Sequence, residues 1–476
     1  MFLLKRALLV TVVFALAWIG AIAYWRQTPS QPDNTELAIL LLAVPLSILL
    51  LCWLGAVLAS RLLAASPGPV APTASASDTA TTATPPQAAP PLVLVASALR
   101  VPHGNCAREL AGAMADSRRK AGLDPELVDA DGYPIMAARV AAADDPALQL
   151  AMQRWQGVQR IDEVCFSDEQ WRALTLASAV TTELGQRVAQ HAGLAAMGEQ
   201  QQSVAPPQLP ALQILLLWQT GWSAEQRAIA AFWLRHLVAR EGWPADRIAM
   251  DPELAGEPSN ATTAALLARL SAQHRSGHPV LALAIACGSH ISDASVSRWA
   301  ASNELHTPAQ GQGKMPGEGA AGLLLADPVQ AQLLGSALPV LVRSAEGQRQ
   351  ASIDASKRTD ASVLRILTDL VLADSATDAA QVALLVADTG NRSNRVMETM
   401  GLAGALLPQL DTGDELLQVG AVSGTCGAVP FVSALALAAW HSAELRAPVL
   451  CLSNEDPQRR CSALLWPAPA AAPALT

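Results

Sequence analysis

Between Gly313 and Asp327 the chain reads Gly-Lys-Met-Pro-Gly-Glu-Gly-Ala-Ala-Gly-Leu-Leu-Leu-Ala-Asp, with one carboxylate, Glu318, set between Gly317 and Gly319. Glycine at these positions permits positive φ or a close backbone approach. The apolar run from Leu323 to Ala326 that follows has the composition of a buried strand. Taken alone, the stretch is a tight turn into a core strand. Few other residues are placed to do chemistry. Cys426 stands near the start of a helical segment, where a thiol can become reactive, but its small neighbours favour a packed core thiol. Cys287 ends a buried run and reads the same way. The seven cysteines (52, 106, 165, 287, 426, 451 and 461) show no CxxC or Cys/His spacing, so neither a zinc site nor a disulfide framework is signalled. Their odd number and wide spacing suit a reducing compartment. No cofactor and no metal are implied.

The elements that must position these residues alternate in type. Leu92 to Ala98 is a β-rich run, and Cys106 to Lys120 and Asp168 to Gln190 have helical periodicity. Leu212 to Trp218 is predicted as a strand, Ser223 to Arg240 as a helix capped by Ser223, and Arg247 to Met250 as a short strand. A helix capped by Ser259 or Asn260 and reaching Arg275 leads into a strand at Val280 to Ala286. The pattern repeats after Glu318. Leu338 to Arg343 is predicted as a strand, Ala361 to Leu372 as a helix, Val382 to Ala387 as a strand and Asn391 to Leu407 as mainly helical. Leu416 to Val422 is then a strand, Ser423 to Leu445 a helix, and Val449 to Leu452 with Cys461 to Trp466 a closing pair. Such alternation predicts an α/β fold with a mostly parallel sheet covered on both faces. The halves of the large domain are placed at 92–335 and 336–470.

The first sixty-odd residues have a different character. Ala7 to Trp25 and Leu37 to Ser60 carry no charge and are nineteen and twenty-four residues long. Each is long enough to cross a hydrocarbon core of about 30 Å. Residues 1–63 are therefore read as a transmembrane hairpin. Lys5, Arg6 and Arg61 flank the spans, whereas the connecting loop has Arg26 against Asp33 and Glu36. The positive-inside rule puts both ends of the hairpin, and the large domain, in the cytoplasm beside an inner membrane. A cleaved signal peptide ending at Ala21-Ile-Ala23 is the alternative; it would leave the second span in place. Residues 64–91 are Ala-, Pro-, Ser- and Thr-rich and cannot bury a core, so they form a tether. Of 476 residues 51% are hydrophobic and 15% charged, with a net charge of −9 and no basic run. That composition excludes a nucleic-acid surface and suits a partner in the lipid bilayer.

Three stretches, in order, carry a family resemblance: Gly317-Glu318-Gly319-Ala320; Val386-Ala387-Asp388-Thr389-Gly390-Asn391; and Gly420-Ala421-Val422-Ser423-Gly424-Thr425-Cys426-Gly427-Ala428. Together they resemble the β-ketoacyl synthases of the thiolase fold. The second is similar to that family's Asn-Ala-His-Gly-Thr turn and the third to its Gly-His-x-x-Gly-x-x-Gly-Ala. The resemblance implies a duplicated fold in layers α-β-α-β-α. It also implies a decarboxylative condensation run by a thiolate at a helix N-terminus, two histidines and a lysine. This sequence departs from the family at every one of them. The nucleophile position falls at about Ser259, the histidine positions at Thr389 and Ala421, and the lysine position at Leu416. The family's glycine-rich turn before the last strand is replaced by Ser453 to Arg460. Serine at 259 would need a base within reach, and only His290 and His306 are on offer, so a helix cap is preferred.

Glu318 is read as a residue that caps or bridges backbone groups. Gly317, Gly319, Gly390, Gly420, Gly424 and Gly427 are read as turns that define the fold, with clashes expected at Gly420 and Gly427 because backbones meet there. The former catalytic positions are expected to be structurally dispensable. The functional expectation is a catalytically inactive, membrane-anchored binding or scaffolding protein, paired as a homodimer or with a thiolase-fold partner through the edge near Arg247 to Met250. An acyltransferase with rearranged groups and an accessory component of an envelope or secretion machine are the alternatives.

Overall fold

The chain divides at Pro85/Pro86 into two compact units. The computed structural model describes residues 90–116, 121–161, 164–199, 209–250, 262–335, 339–355 and 359–468, all in the second unit. Both expected membrane spans and nearly all of the tether lie outside these residues. Among the described residues no helix is long and apolar enough to cross a membrane.

The first half opens with strand β1 (Leu92–Arg100) and helix α1 (Ala107–Ala115). A hairpin of β2 (Gly122–Val128) and β3 (Pro134–Ala137) follows, then α2 (Pro146–Gln159), α3 (Asp168–Val188) and α4 (Ala192–Glu199). Next come β4 (Leu212–Trp218), α5 (Ala224–Arg240), β5 (Ile248–Met250), α6 (Thr263–Arg275) and β6 (Leu281–Ser289). Helix α7 (Asp293–Ala301), β7 (Glu318–Ala326) and α8 (Pro328–Leu333) complete it. The second half runs β8 (Val340–Gln348), α9 (Ser362–Asp374), β9 (Leu384–Ala387), α10 (Ser393–Leu406), β10 (Leu416–Gln418), α11 (Val419–Ser423), α12 (Val429–Leu445), β11 (Val449–Ser453) and β12 (Arg459–Pro467).

All strands but the small hairpin join one sheet in the order β10-β9-β11-β12-β8-β1-β7-β6-β4-β5. Its two ends repeat one plan. Counting the five sheet strands of each half along the chain, both run first, fifth, fourth, second, third from the seam outwards, and β1 and β8 pair antiparallel at the seam. In each half the fifth strand is antiparallel to its neighbours, while the second, third and fourth are mutually parallel. The sheet is therefore mixed and not mostly parallel. Strand β12 returns from β11 by a hairpin, and β7 returns beside β6 after residues 290–317, which carry α7, so each fifth strand runs opposite to its neighbours.

Alternation along the strands builds the layers. In β6, Ala282, Ala284 and Ala286 face a core shared with α1, α6 and α12, while Leu281, Leu283 and Ile285 face α3 and α5. Strands β6 and β7 are buried along their whole length, and both are apolar except for Ser289 and Glu318 at the ends that meet. Helix α12 is apolar all round because both of its faces are covered. Helices α9 and α10 cover the outer face of the second half.

Local signals explain most boundaries. Ser223 caps α5 in a capping box with Gln226, and Ser167 does the same for α3 with Gln170. Several boundaries depart from the sequence reading: the helix expected over Cys106 to Lys120 ends at Ala115, and the helix expected from Ser423 begins at Val429, after the break at Gly424. Helix α6 is capped by Thr262, whose hydroxyl accepts from the Ala265 amide at 3.0 Å. The helix begins two to three residues later than caps at Ser259 or Asn260 would place it; both of those residues lie outside the described residues. The stretch from Leu416 to Val422 is not one strand. Only Leu416–Gln418 pairs, in register with Leu385 to Ala387, and the chain then coils into α11 and breaks at Gly424. The apolar run is buried as a short helix because β9, its only neighbour among the described strands, ends at Ala387.

Candidate functional site

Glu318 opens β7 and is completely buried. Its carboxylate accepts from the Val140 amide at 2.7 Å, from the Ser289 hydroxyl at 3.0 Å, and from Arg172 Nε at 2.8 Å and Nη2 at 2.7 Å. The Gly317 carbonyl accepts from the His290 amide at 2.9 Å. One side chain thus ties the loop after β3, helix α3 and the end of β6 together. Its two oxygens accept four hydrogen bonds, so the side chain is fully taken up in bridging these segments. Gly317 is glycine because a Cβ there would stand 2.1 Å from the Ser423 carbonyl oxygen. The two glycine-rich stretches, more than a hundred residues apart, are pressed together at this point.

The second turn meets the third in the same way. A Cβ on Gly420 would lie 2.2 Å from the Asp388 carbonyl oxygen, so residues 388–390 cross directly over α11. Gly427 differs from the expectation: a Cβ there would meet nothing closer than 3.8 Å, and its φ of 65° is what calls for glycine. Thr389 is fully buried, its hydroxyl 2.8 Å from Asn454 Oδ1 and 3.0 Å from Thr399 Oγ1. Asn454 in turn donates to the Arg395 carbonyl at 3.0 Å and to Glu398 at 3.2 Å. Glu398, with no exposure, holds Arg460 Nε at 2.9 Å and Arg349 Nη1 at 2.8 Å. Arg395 pairs with Asp354, and Arg392 with Glu455. Thr389 therefore belongs to a buried polar core, and the expectation that this position is structurally dispensable is corrected: its hydroxyl is one of the groups that satisfy Asn454.

Ala421 is half-buried on α11, and Leu416 is half-buried in β10 against the α9–α10 core. Neither brings a titratable group. Ser259 lies outside the described residues. His306 sits on the 388–391 turn, accepting from Asn391 Nδ2 at 2.8 Å. His290 packs against the Trp299 ring, within 3.0 Å of Gln219 Nε2. Burial, reinforced by Arg298 and Lys314, pushes its imidazole down to about 4, so it is neutral at physiological pH. Burial raises the Cys287 thiol to about 12 and the Cys426 thiol further still, which leaves both as unreactive packed thiols. Among the described residues no group of three or more His, Cys, Asp or Glu side chains is placed to hold a metal ion.

Sequence reasoning noticed Ser453 to Arg460 as a substituted turn but missed its role, and it missed Arg172, Glu398 and Arg395. A signal was available. Arg395, Glu398 and Thr399 stand at i, i+3 and i+4, a polar stripe on the face of α10 that is turned inward.

No family model matches the chain, and no curated protein matches it in sequence. Solved structures do. The ketosynthase from module 6 of the bacillaene synthase of Bacillus subtilis 168 is 12% identical, with a TM-score of 0.54 over 80% of this chain and 72% of that one. An oxazolomycin ketosynthase domain of Streptomyces albus JA3453 is 13% identical, with a TM-score of 0.52 over 80% and 76%. At these identities the likeness establishes the fold: a mixed α/β, thiolase-like ketosynthase fold.

Proposed function

We propose that this chain is a membrane-anchored, ketosynthase-like protein that does not condense acyl groups and acts as a binding or scaffolding component. Thr389 carries the reading. Where the resemblance implies the first imidazole, a hydroxyl is already committed to Asn454 and Thr399 inside a packed core. Ala421 and Leu416, at the second histidine and the lysine, cannot hold an enolate or move a proton. No cysteine lies between Leu212 and Ala286 to serve as nucleophile. In a working enzyme, loss of one such group already costs orders of magnitude in rate. The test is acyl loading and malonyl decarboxylation followed by mass spectrometry, on the wild type and Ser259→Ala. Neither protein is expected to carry an acyl adduct. An adduct on the wild type that vanishes in Ser259→Ala would replace this reading with an acyltransferase.

We take the domain to pair through β5, which ends the sheet with β4 as its only described neighbour. An open edge exposes unpaired backbone groups, and a two-fold pairing satisfies both copies. Light scattering at micromolar concentration is expected to give a dimer mass. A stable monomer with no copurifying partner counts against it.

A further inference from the structure

On the outer face of the first half, far along the chain from the three glycine-rich turns, helices α2, α3 and α5 enclose a groove of about 480 Å³. Its origin lies in side-chain size. Helix α2 is propped at its C-terminal end by Trp155, whose ring meets Trp233 of α5 edge-on at 5.4 Å. Towards its N-terminal end α2 presents Leu148 and Ala151 across a row of short side chains on α3: Thr175, Ser178, Ala179 and Thr182. These stand at i, i+3, i+4 and i+7 and so line one face of the helix. Bulk at one end and its lack at the other leave the space open.

One polar atom in the lining has no partner. Thr175 is 6% exposed, yet its hydroxyl makes no hydrogen bond to any described residue. Its neighbour Ser178 is fully engaged, accepting from Trp233 Nε1 at 3.0 Å and donating to the Leu174 carbonyl at 2.7 Å. A buried hydroxyl left unpaired is unfavourable. The lining also takes in the apolar Leu176, Leu237 and Trp233 ring and the polar Gln186, Asp145 and Arg240. The charged side chains of the lining include Arg100 and Glu183, which pair with each other at 2.9 Å. The volume falls within the range of small-molecule sites, which are mostly apolar with a few placed polar groups.

We infer that this groove is a binding site for a small, neutral, mostly apolar molecule bearing one hydroxyl or carbonyl group, which meets Thr175. Arg100 and Glu183 neutralise each other, Asp145 accepts from the Ala147 and Leu148 amides at the start of α2, and Arg240 is exposed, so a charged group beside Thr175 would not regain the partners it has in water, and the ligand is uncharged there. The site is independent of the loading result above, since none of its residues belongs to the glycine-rich turns.

The test uses the purified full chain in phospholipid nanodiscs, with empty nanodiscs as the blank, and cyclohexanol as the probe. Saturation-transfer NMR is expected to show saturable binding. Thr175→Val, which keeps the shape and removes the hydroxyl, is expected to weaken cyclohexanol about tenfold, the effect of about 1.4 kcal/mol, and to leave methylcyclohexane unchanged. Ala179→Leu fills the groove and is expected to abolish both signals, with thermal melts showing that each variant is folded. Binding that survives Ala179→Leu, or no saturable binding to the wild type, overturns the site. Equal affinity of wild type and Thr175→Val for cyclohexanol overturns the role of the hydroxyl.

Discussion

Asp388 and Thr389 are adjacent in sequence and both buried, but burial treats them differently. Thr389 is neutral and exchanges water for Asn454 and Thr399 at little cost. Asp388 has to hold a carboxyl inside the core, accepting from the Ser453 hydroxyl and from the Asn454 amide. Burial outweighs those hydrogen bonds, and the nearby Glu455 adds to it, so the carboxyl is raised to about 7. In the unfolded chain it would lose its proton near the ordinary value of about 4. Between those limits the folded protein holds a proton that the unfolded chain has released. This residue's contribution to stability is therefore full below about pH 4 and is lost as pH rises towards 7. Urea unfolding of wild type and Asp388→Asn across pH 4.5–8 (roughly the window in which a raised carboxyl titrates) isolates it, since the histidines contribute equally to both. The wild-type midpoint should fall relative to the variant as pH rises. Parallel curves would show that Asp388 is not protonated in the fold.

At the scale of elements, two glycines of one motif do different jobs. Gly420 is a crossing point, where a Cβ would occupy space held by the Asp388 backbone. Gly427 is a backbone conformation, with φ at 65° and no atom closer than 3.8 Å to a Cβ built there. Gly420→Val should leave the domain unfolded or aggregated, because backbone cannot yield as a side-chain tip can. Gly427→Ala makes only ordinary contact, at 3.8 Å or more, and should lower stability by about 1 kcal/mol, the usual cost of a left-handed alanine. Thermal unfolding of the two variants separates these cases. Similar melting points for both would show that the two stretches are not packed together as described. The same contrast explains α11: with β10 ending after Gln418, the chain can bury Val419 and Val422 only by coiling under the 388–390 turn.

For the molecule as a whole, the repeated strand order matters more than any one motif. Each half builds a five-stranded unit, and the seam at β1 and β8 makes one continuous sheet. Polar chemistry gathers at two places in this apolar body, the Glu318 clamp in the first half and the Glu398–Asn454 core in the second. Both cross-link chain segments far apart in sequence. How the domain is tethered is a separate proposal. From Lys5, Arg6 and Arg61 against the loop from Arg26 to Glu36, we propose that the domain lies on the cytoplasmic side. A reporter active only in the periplasm, fused after Thr476, should stay silent; activity there would reverse the topology.

The sequence by itself determined the alternation of strands and helices, the most buried strands and the Ser223 cap. Each is written in neighbouring residues: a period, an apolar run, a serine three residues before a glutamine. It also marked Gly317 and Gly319 as places of positive φ or close backbone approach and Gly420 and Gly427 as places where backbones meet, correctly for Gly420 but not for Gly427, and without saying what comes close. The tertiary structure alone decided strand direction, the end of β10, the shift of the α6 cap to Thr262, and the conversion of Thr389 from a vacated position into a core residue. It also decided that Thr175 lines a groove with its hydroxyl unpaired. These outcomes depend on partners tens to hundreds of residues away. Asn454 meets Thr389 across 65 residues, and Glu318 meets the Val140 amide across 178. No local pattern records a hydrogen bond whose other half is chosen by the packing of the sheet.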